Sequence, residues 1–255
     1  MTTAVQSEAV RLADLIRGAG SVVALTGAGI SVPSGIPDFR SPRTGLWANV
    51  DPMEVAHITA FRRDPERFWR FYGERFQTLE QKRPNRAHEA LATLEQAGLL
   101  DAVITQNIDR LHALAGSREL IEVHGSIDHC SCLGCGSRYP LVEVQTRLAA
   151  DAVGVPRCEC SLPLKPDVVL FGEYLPPDML ARAEQLAAGA DLMLCIGSSL
   201  EVYPVAELPT LTLNGGGRIV ILTQGRTPFD DRATVRGSGD VVDELDALIG
   251  ALGLG

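Results

Sequence analysis

The sequence lacks the excess of positive charge that nucleic-acid-binding and membrane-surface proteins carry. Its 23 Lys and Arg residues are outnumbered by 32 Asp and Glu residues, which gives a formal net charge of −9. A protein that neutralises phosphate groups or anionic lipid needs a basic surface. We therefore do not expect this chain to bind nucleic acids directly or to bind an anionic membrane.

Long apolar runs are also missing, since none approaches the roughly 18 residues that a membrane span needs. Asp14 and Arg17 interrupt the first apolar stretch and no basic segment precedes it, so no secretory signal is predicted. An amphipathic helix is predicted there instead, with Ser7 as its N-cap and Gly18 as its terminator. These absences favour a cytoplasmic protein, and in a reducing cytoplasm clustered cysteines favour metal binding over disulfides.

Short β-branched runs alternate with helical patterns along the chain, without any internal repeat. Most of the runs are continuously apolar, which is typical of strands buried on both faces of a parallel sheet. The alternation predicts an α/β fold with a doubly wound parallel sheet. Strands are predicted at 21–26, 101–105, 120–123, 167–171, 191–196 and 218–222, and helices most clearly at 85–97, 177–188 and 241–252.

Two stretches interrupt this alternation and are predicted to be insertions. Residues 42–84 contain no good strand, and in them Asp64 can cap a helix that starts with Pro65. Residues 128–165 hold five of the six cysteines and few apolar runs. The prediction is a sheet domain of residues 1–41, 85–127 and 166–255, a helical insertion of 42–84 and a metal-binding insertion of 128–165.

A glycine turn, Gly27-Ala28-Gly29, follows the first predicted strand directly. Such a turn allows backbone N–H groups to approach a pyrophosphate at a helix N-terminus. The usual dinucleotide fingerprint has a third glycine where this chain has Val32, so the pattern is not that of an ordinary dehydrogenase. From these residues alone, phosphate binding and a tight turn that needs glycine for its own geometry both remain open.

Four cysteines, Cys132, Cys135, Cys158 and Cys160, form two close pairs separated by a loop. This arrangement predicts one structural zinc ion held by four thiolates, because a short insertion with few apolar residues needs such a staple. Redox-active or incidental cysteines are the alternative. Cys130 and His129 lie beside the first pair as competing ligands, whereas Cys195 lies in an apolar run and is predicted to be a core thiol.

Six motifs occur in one order along the chain, with the cysteine pairs between them, and together they resemble the sirtuins. Sirtuins are NAD-dependent protein-lysine deacylases, and the resemblance, which is to members of bacterial type, spans about residues 20–245. The motifs are 27–31 (GAGIS), 35–40 (GIPDFR), 105–112 (TQNIDRLH), 124–125 (HG), 165–173 (KPDVVLFGE) and 197–200 (GSSL).

The resemblance implies a Rossmann-like domain with a small module of helix and zinc, and NAD along the carboxyl edge of the sheet. Thr223 and Gln224 depart from the Asn and acidic residue that the family usually has at the adenine ribose, which leaves their contacts open. The resemblance implies NAD contacts for Gly27, Ala28, Gly29, Ile30, Asp38, Phe39, Arg40, Gln106, Asn107, Ile108, Asp109, Gly197, Ser198, Ser199 and Thr223.

The resemblance also implies a catalytic base, for which His124 is the candidate. In sirtuins the acyl-lysine oxygen displaces nicotinamide, and a ribose hydroxyl that has lost its proton to a base then attacks the acyl carbon. A histidine with a pKa near 6.5 is largely neutral at pH 7 and accepts such a proton. His124 follows a predicted strand directly, whereas the other four histidines, His57, His88, His112 and His129, are interpreted as structural.

Tyr72 and Arg75 lie three residues apart on the predicted insertion helix and so share one face. This Tyr-x-x-Arg pattern resembles that of sirtuins that remove acidic acyl groups. In such a site the Arg side chain would offer a planar fork to a succinyl or malonyl carboxylate. An ordinary amphipathic helix face is the alternative. The resemblance further implies that Val168 and Phe171 wall the acyl-lysine tunnel and that the substrate peptide adds as an extended strand.

The expected activity is therefore removal of acetyl, and of succinyl or malonyl, groups from protein lysines, releasing nicotinamide and 2′-O-acyl-ADP-ribose. The expected partners are acylated-lysine proteins. Mono-ADP-ribosyl transfer to protein at the same NAD site is one alternative function. A zinc-stapled scaffold without catalysis is the other, although a scaffold has no use for Gln106, Asn107, Asp109 and His124 together.

Overall fold

The computed structural model describes residues 3–38, 45 and 50–255, with side chains from residue 8 onward. The helices are α1 Thr3–Arg17, α2 Pro52–Val55, α3 Ile58–Arg63, α4 Pro65–Glu80, α5 Arg86–Gln96, α6 Leu111–Ala115, α7 Leu141–Ala150, α8 Pro177–Gly189, α9 Leu208–Asn214 and α10 Val241–Leu252. The strands are β1 Val22–Thr26, β2 Ala102–Thr105, β3 Leu120–Glu122, β4 Gly125–Cys132, β5 Arg138–Pro140, β6 Leu164–Val168, β7 Leu192–Ile196, β8 Arg218–Leu222 and β9 Val235–Gly237.

The main sheet has six strands in the order β3-β2-β1-β7-β8-β9. Every neighbouring pair in it is parallel. Every residue of β1 and β7 is buried. The predicted doubly wound, Rossmann-like parallel sheet is therefore confirmed.

Alternate side chains of β1 enter two different hydrophobic cores, because successive residues of a strand point to opposite faces. Val22 and Ala24 join the core that also contains residues of α1, α5 and α10. Val23 and Leu25 join the core on the other face, with residues of α8 and α9. The two cores explain why the predicted strands read as continuous apolar runs.

A second sheet, with strand order β5-β4-β6, is antiparallel. Its core includes residues of α4 and α7, among them Phe68, Trp69 and Val144. The segments predicted as a helical and a metal-binding insertion thus share one hydrophobic core. Strands β4 and β6 extend across the predicted boundaries of the metal-binding insertion at 128 and 165. The division of the chain into domains therefore stays a prediction.

Residues 167–171 are not a strand of the parallel sheet, so this prediction was wrong. The strand in this region is β6, which ends at Val168 and pairs with β4. Val168 and Leu170 are buried in the core of the second sheet. An apolar run indicates that a strand is buried on both faces but does not indicate to which sheet the strand belongs. Strand β9 was not predicted, because its three residues are too few to form such a run.

The helix boundaries follow the predicted signals with one exception. Asp64 Oδ1 accepts a hydrogen bond from Arg67 N at 2.9 Å, and α4 begins at Pro65 as predicted. Helix α1 begins at Thr3, so the predicted N-cap at Ser7 was wrong, because no Gly or Pro precedes Ser7 to stop the helix. Among the described residues, none of the helices combines the length and the apolar character that a membrane span needs.

The turns that follow β1 and β7 touch at the carboxyl edge of the main sheet. Gly29 N donates to Gly197 O at 2.8 Å. A Cβ at Gly29 would lie 2.7 Å from the Gly197 Cα, closer than real Cβ contacts, and Gly197 has a φ of +61°. This approach of two backbones requires glycine on both turns and fixes how far apart the turns stand.

We predict that Gly29→Ala lowers the free energy of unfolding by about 1–3 kcal/mol, since its new methyl group meets backbone that has little room to move. Chemical denaturation measures the change. Gly250→Ala is the matched control, because Gly250 lies inside α10 with open space around it and alanine there should be neutral or stabilising. Equal stability of Gly29→Ala and the wild type would contradict the close-contact interpretation.

Candidate functional site

A cavity of about 810 Å³ runs along the carboxyl edge of the main sheet. Segments that follow five of its strands line it, which are 27–29 after β1, 106–108 after β2, His124 after β3, 197–199 after β7 and 223–226 after β8. Ligands of open α/β sheets bind at this edge. The strand order puts the segment after β3 near one end of the cavity and the segment after β8 towards the other.

Most of the predicted cofactor and substrate residues line this one cavity. Ile30 and Asp109 are buried outside its lining, Arg75 does not line it, and Phe39 and Arg40 lie outside the described residues. The predicted residues in the lining are Gly27, Ala28, Gly29, Asp38, Tyr72, Gln106, Asn107, Ile108, His124, Val168, Phe171, Gly197, Ser198, Ser199 and Thr223.

The glycine turn leads into a 3-10 helix of residues 28–34. Its N–H groups at Gly27, Gly29 and Ile30 donate to the carbonyls of Ile196, Gly197 and Gly27. These groups are therefore engaged within the protein. The close approach to Gly197 accounts for the glycines by itself, and their contact with phosphates stays a prediction.

A buried polar network holds the segment after β2. Asn107, 7% exposed and at the cavity wall, donates from Nδ2 to Gly27 O and to Ser31 Oγ, each at 3.1 Å. Ser31 Oγ in turn donates to Asp109 Oδ2 at 2.6 Å. Asp109 therefore lies behind Asn107, and burial raises the pKa of its carboxyl group above the ordinary value. This geometry supports an indirect role for Asp109 through Ser31 and Asn107.

Two further histidines, His88 and His112, lie beside this network, with His88 Nε2 3.4 Å from Ser31 Oγ. Their rings pack edge to face at 4.8 Å. Burial lowers the pKa of His88 to about 4 and that of His112 to about 3, so both are neutral at pH 7. The Thr26 hydroxyl donates its proton to Thr105 Oγ1. Because Thr26 has no second proton to donate, His112 Nε2–H is the donor in the 2.9 Å hydrogen bond to Thr26 Oγ1.

His124 is held by the main-chain carbonyl of Gln106, which lies 3.0 Å from its Nδ1. A carbonyl only accepts hydrogen bonds, so Nδ1 carries the proton and Nε2 is the acceptor of the neutral ring. Burial lowers the pKa of His124, partly offset by this hydrogen bond. The ring is therefore neutral at pH 7 and able to take up a proton at Nε2.

The turns after β2 and β7 are joined by side chains. Gln106 Nε2 donates to Ser198 Oγ at 2.9 Å, and Ser198 Oγ also accepts from Leu200 N at 3.2 Å. Gln106 thus acts on two neighbours, since its carbonyl orients His124 while its amide holds the β7 turn. These contacts fix the middle of the cavity wall.

The end of the cavity after β8 carries Gln224, whose contacts the sequence left open, and two residues that no motif assigned, Arg226 and Asp240. Thr223 lies beside them. Asp240 Oδ1 accepts from Val242 N at 2.8 Å and so caps α10. The position of Arg226 and Asp240 within the segments that follow β8 and β9 is the signal that could have identified them, because carboxyl ends of parallel strands share one edge.

Tyr72 of α4 also lines the cavity and stacks on Phe76 with ring centroids 5.4 Å apart. Burial raises the pKa of Tyr72 to about 12, and the nearby charge of Arg75 opposes this rise. The Arg75 guanidinium, however, lies 3.8 Å above the Phe71 ring and donates to the Phe71 carbonyl. In this conformation the structure brings Tyr72 but not Arg75 into the cavity.

The four predicted metal ligands come together away from this cavity, with all four sulfurs within 4.8 Å of one another. The Cys132–Cys160 and Cys135–Cys158 sulfur distances are both 3.4 Å, so neither pair is a disulfide. A tetrahedral zinc ion with Zn–S bonds of about 2.3 Å holds its sulfurs about 3.8 Å apart. Cys130 and His129 are not in this cluster, so the donor set fits one zinc ion bound by four thiolates.

The Sir2 family profile matches residues 27–204 of this chain. The NAD-dependent protein deacetylase of Sulfolobus acidocaldarius is 48% identical over 226 residues, which cover 89% of this chain and 88% of that protein. The NAD-dependent protein deacetylase of Thermotoga maritima is 47% identical, with 90% and 92% covered. The chain therefore belongs to the Sir2 family, as its motifs indicated.

Solved structures agree with this assignment. A Sir2 complex with a p53 peptide and NAD+ is similar to this chain with a TM-score of 0.89 and 44% identity, covering 96% of this chain and 98% of that one. The structure of Sir2Tm bound to a propionylated peptide has a TM-score of 0.88 at 43% identity, with the same coverage. The NAD-dependent protein deacylase 1 of Archaeoglobus fulgidus is 42% identical, with 88% of this chain and 91% of that protein covered.

We predict that the wild-type protein binds about one zinc ion per chain and that Cys135→Ser loses it. Because the metal staples the second sheet, the midpoint of thermal unfolding should fall by more than about 5 °C. Elemental analysis and calorimetry measure the two effects. Cys130→Ala, on the same strand as Cys132 but outside the cluster, is the control and should keep the metal. Retention of zinc by Cys135→Ser would contradict the ligand assignment.

Proposed function

We propose that this protein is an NAD-dependent protein-lysine deacylase that transfers the acyl group of acyl-lysine to ADP-ribose and releases nicotinamide. One observation carries the proposal. A neutral His124, whose Nδ1 is held by Gln106 O at 3.0 Å, faces a cavity that is also lined by Asn107, Val168 and Phe171. A proton acceptor and the predicted NAD and acyl-lysine residues therefore share one space.

NAD would lie along the sheet edge, since the cavity passes the turns after β1, β7 and β8 in strand order. In this arrangement the nicotinamide end is next to Asn107, which the Ser31 and Asp109 network holds in one orientation. Ser198 and Ser199 would contact the adenosine half. The adenine ribose would face Thr223 and Gln224, which supply a hydroxyl and an amide in place of a carboxylate.

His124 would accept the proton of a ribose hydroxyl at Nε2, once nicotinamide has left. The neutral ring and its fixed Nδ1–H are the two properties that this step requires. The hydrogen bond to Gln106 O also stabilises the protonated ring that forms, because Nδ1–H donates more strongly when the ring is charged.

The acylated protein would bind as an extended segment beside residues 168–173, which form another wall of the cavity. Phe171 is partly exposed there, and Tyr203 lines the same cavity with 72% exposure. The acyl-lysine would pass between Val168 and Phe171 towards His124 and Tyr72. We further propose a cytoplasmic location, because a four-thiolate zinc site needs reduced cysteines.

Mono-ADP-ribosyl transfer to protein is the alternative, since it needs the same NAD contacts. The test is incubation of the protein with NAD and an acetyl-lysine peptide, followed by mass spectrometry. Deacylation yields nicotinamide and O-acyl-ADP-ribose in amounts equal to the deacylated peptide. A gain of ADP-ribose mass on a target protein, without loss of acyl groups, would favour the alternative.

We predict that His124→Asn lowers kcat for deacetylation by about 10²- to 10⁴-fold, the usual contribution of a general base. Steady-state assays with an acetyl-lysine peptide measure the loss. Its melting temperature and NAD affinity should stay close to those of the wild type, which separates lost chemistry from lost structure. Activity within a few-fold of the wild type would remove His124 from the catalytic role.

A finer prediction concerns acidic acyl groups, for which Arg75 would have to leave Phe71 and turn towards Tyr72. We expect Arg75→Met to reduce desuccinylation by more than about tenfold and deacetylation by much less, because only succinyl carries a carboxylate for the guanidinium. A competition between acetyl- and succinyl-lysine peptides measures both rates. Arg70→Met on the same helix, paired with Glu66 on the exposed surface, is the control. Equal losses on both peptides would rule out a carboxylate-binding Arg75.

A further inference from the structure

Lys165 is a buried cation in β6, 7% exposed, in the wall of the second sheet that adjoins the cavity. Its ammonium donates to Pro166 O at 3.0 Å, to Val168 O at 2.8 Å and to Glu173 Oε2 at 2.9 Å. An ammonium group has three donors, so all three are used. None of these partners is catalytic in the function proposed above.

Glu173 continues this contact into the cavity wall. Its Oε2 also accepts from Leu170 N at 2.9 Å, and Glu173 N donates to Leu170 O at 3.0 Å. The chain from Val168 to Glu173 is thereby folded around the Lys165 ammonium, with carbonyl and carboxylate oxygens directed at one point. We call this arrangement the Lys165–Glu173 clasp.

The clasped segment is the wall that faces the predicted acyl-lysine. All residues from Val168 to Glu173 line the cavity. Val169 N donates to His124 O at 2.8 Å, so the segment is bonded directly to the backbone of the proposed base. Phe171 also pairs with the 56–58 segment, through Phe171 N to Ala56 O at 2.9 Å and Ile58 N to Phe171 O at 3.0 Å. A shift of the wall would therefore move both the tunnel and His124.

Burying an ammonium costs free energy unless its partners are ideally arranged, and an apolar side chain of similar volume often serves stability as well or better. Stability alone thus gives little reason for a lysine at this position. Geometry gives a stronger one, because one cation fixes two carbonyls and a carboxylate at set distances. The same three acceptors define the turn that carries Val168 and Phe171.

We propose that Lys165, acting through Glu173, is a positioning residue for the acyl-lysine substrate, holding the 168–173 wall and the His124 backbone in register with each other. This rests on the proposed deacylase function. The turns at 27–29 and 197–199 follow strands β1 and β7 of the main sheet and are bonded to each other, through Gly29 N to Gly197 O at 2.8 Å. Loss of the clasp therefore affects the acylated peptide far more than NAD.

The test is steady-state kinetics of the full chain with an acetyl-lysine peptide and NAD, together with fluorescence anisotropy of the labelled peptide. For Lys165→Met we expect the peptide KM and Kd to rise about tenfold or more, since small displacements of positioning groups are costly. The KM for NAD should stay within about twofold. Lys165→Arg, which retains the charge and the donors, should recover part of the peptide affinity.

Glu173→Gln is a second variant, useful if Lys165→Met folds poorly, because Glu173 is partly exposed to the cavity and glutamine keeps an acceptor for Leu170 N. It should raise the peptide KM by a smaller factor than Lys165→Met. Arg182→Met is the matched control, since it removes a cation from the exposed Arg182–Glu119 ion pair on α8 and should leave both KM values unchanged.

Three results would overturn the inference. If Lys165→Met has a lower melting temperature than the wild type but an unchanged peptide KM, the clasp only stabilises the fold. Equal rises in the KM values for peptide and NAD would mean general damage. A wild-type protein that does not bind the acylated peptide would overturn both proposals, whereas one that binds without turnover would refute the deacylase function and leave the clasp to be judged from Kd.

Discussion

The rest of the site depends on one close contact, in which the backbone after β1 lies against the backbone after β7. Gly29 N donates to Gly197 O, and no Cβ fits at either glycine. Because both strands end at the same edge of the sheet, this contact holds the two turns together at the base of the cavity. The cavity extends from these two turns past β2 and β3 on one side and past β8 on the other.

A second constraint couples the two sheets of the molecule. The Val169 N to His124 O hydrogen bond joins the wall carried by β6 to the segment that follows β3. The four-cysteine cluster holds the same antiparallel sheet, since Cys132 ends β4, the partner strand of β6. A zinc ion would thus act only through structure, by keeping β4 and β6 paired next to the cavity wall of residues 168–173.

Much of this was predictable from the sequence, where a local signal has one physical meaning. Continuous apolar runs identified β1, β7 and β8, the paired cysteines identified the cluster, and the His-Gly motif singled out His124. The prediction that residues 167–171 form a strand of the parallel sheet was wrong, because an apolar run does not specify in which sheet it is buried. Asp109 and Arg75 carry suitable chemistry, but burial behind Asn107 and packing on Phe71 depend on tertiary contacts. The contacts of Lys165 could not be predicted because two of its partners, Val168 O and Glu173, belong to a turn.

In the proposed reaction His124 acts only after nicotinamide has left, as the base for the second half. Exchange of labelled nicotinamide into NAD in the presence of an acetyl-lysine peptide measures the first half alone. We expect His124→Asn to retain exchange at a rate near that of the wild type while forming almost no deacylated peptide. Loss of exchange in proportion to deacylation would contradict it, because His124 would then be needed for nicotinamide release itself.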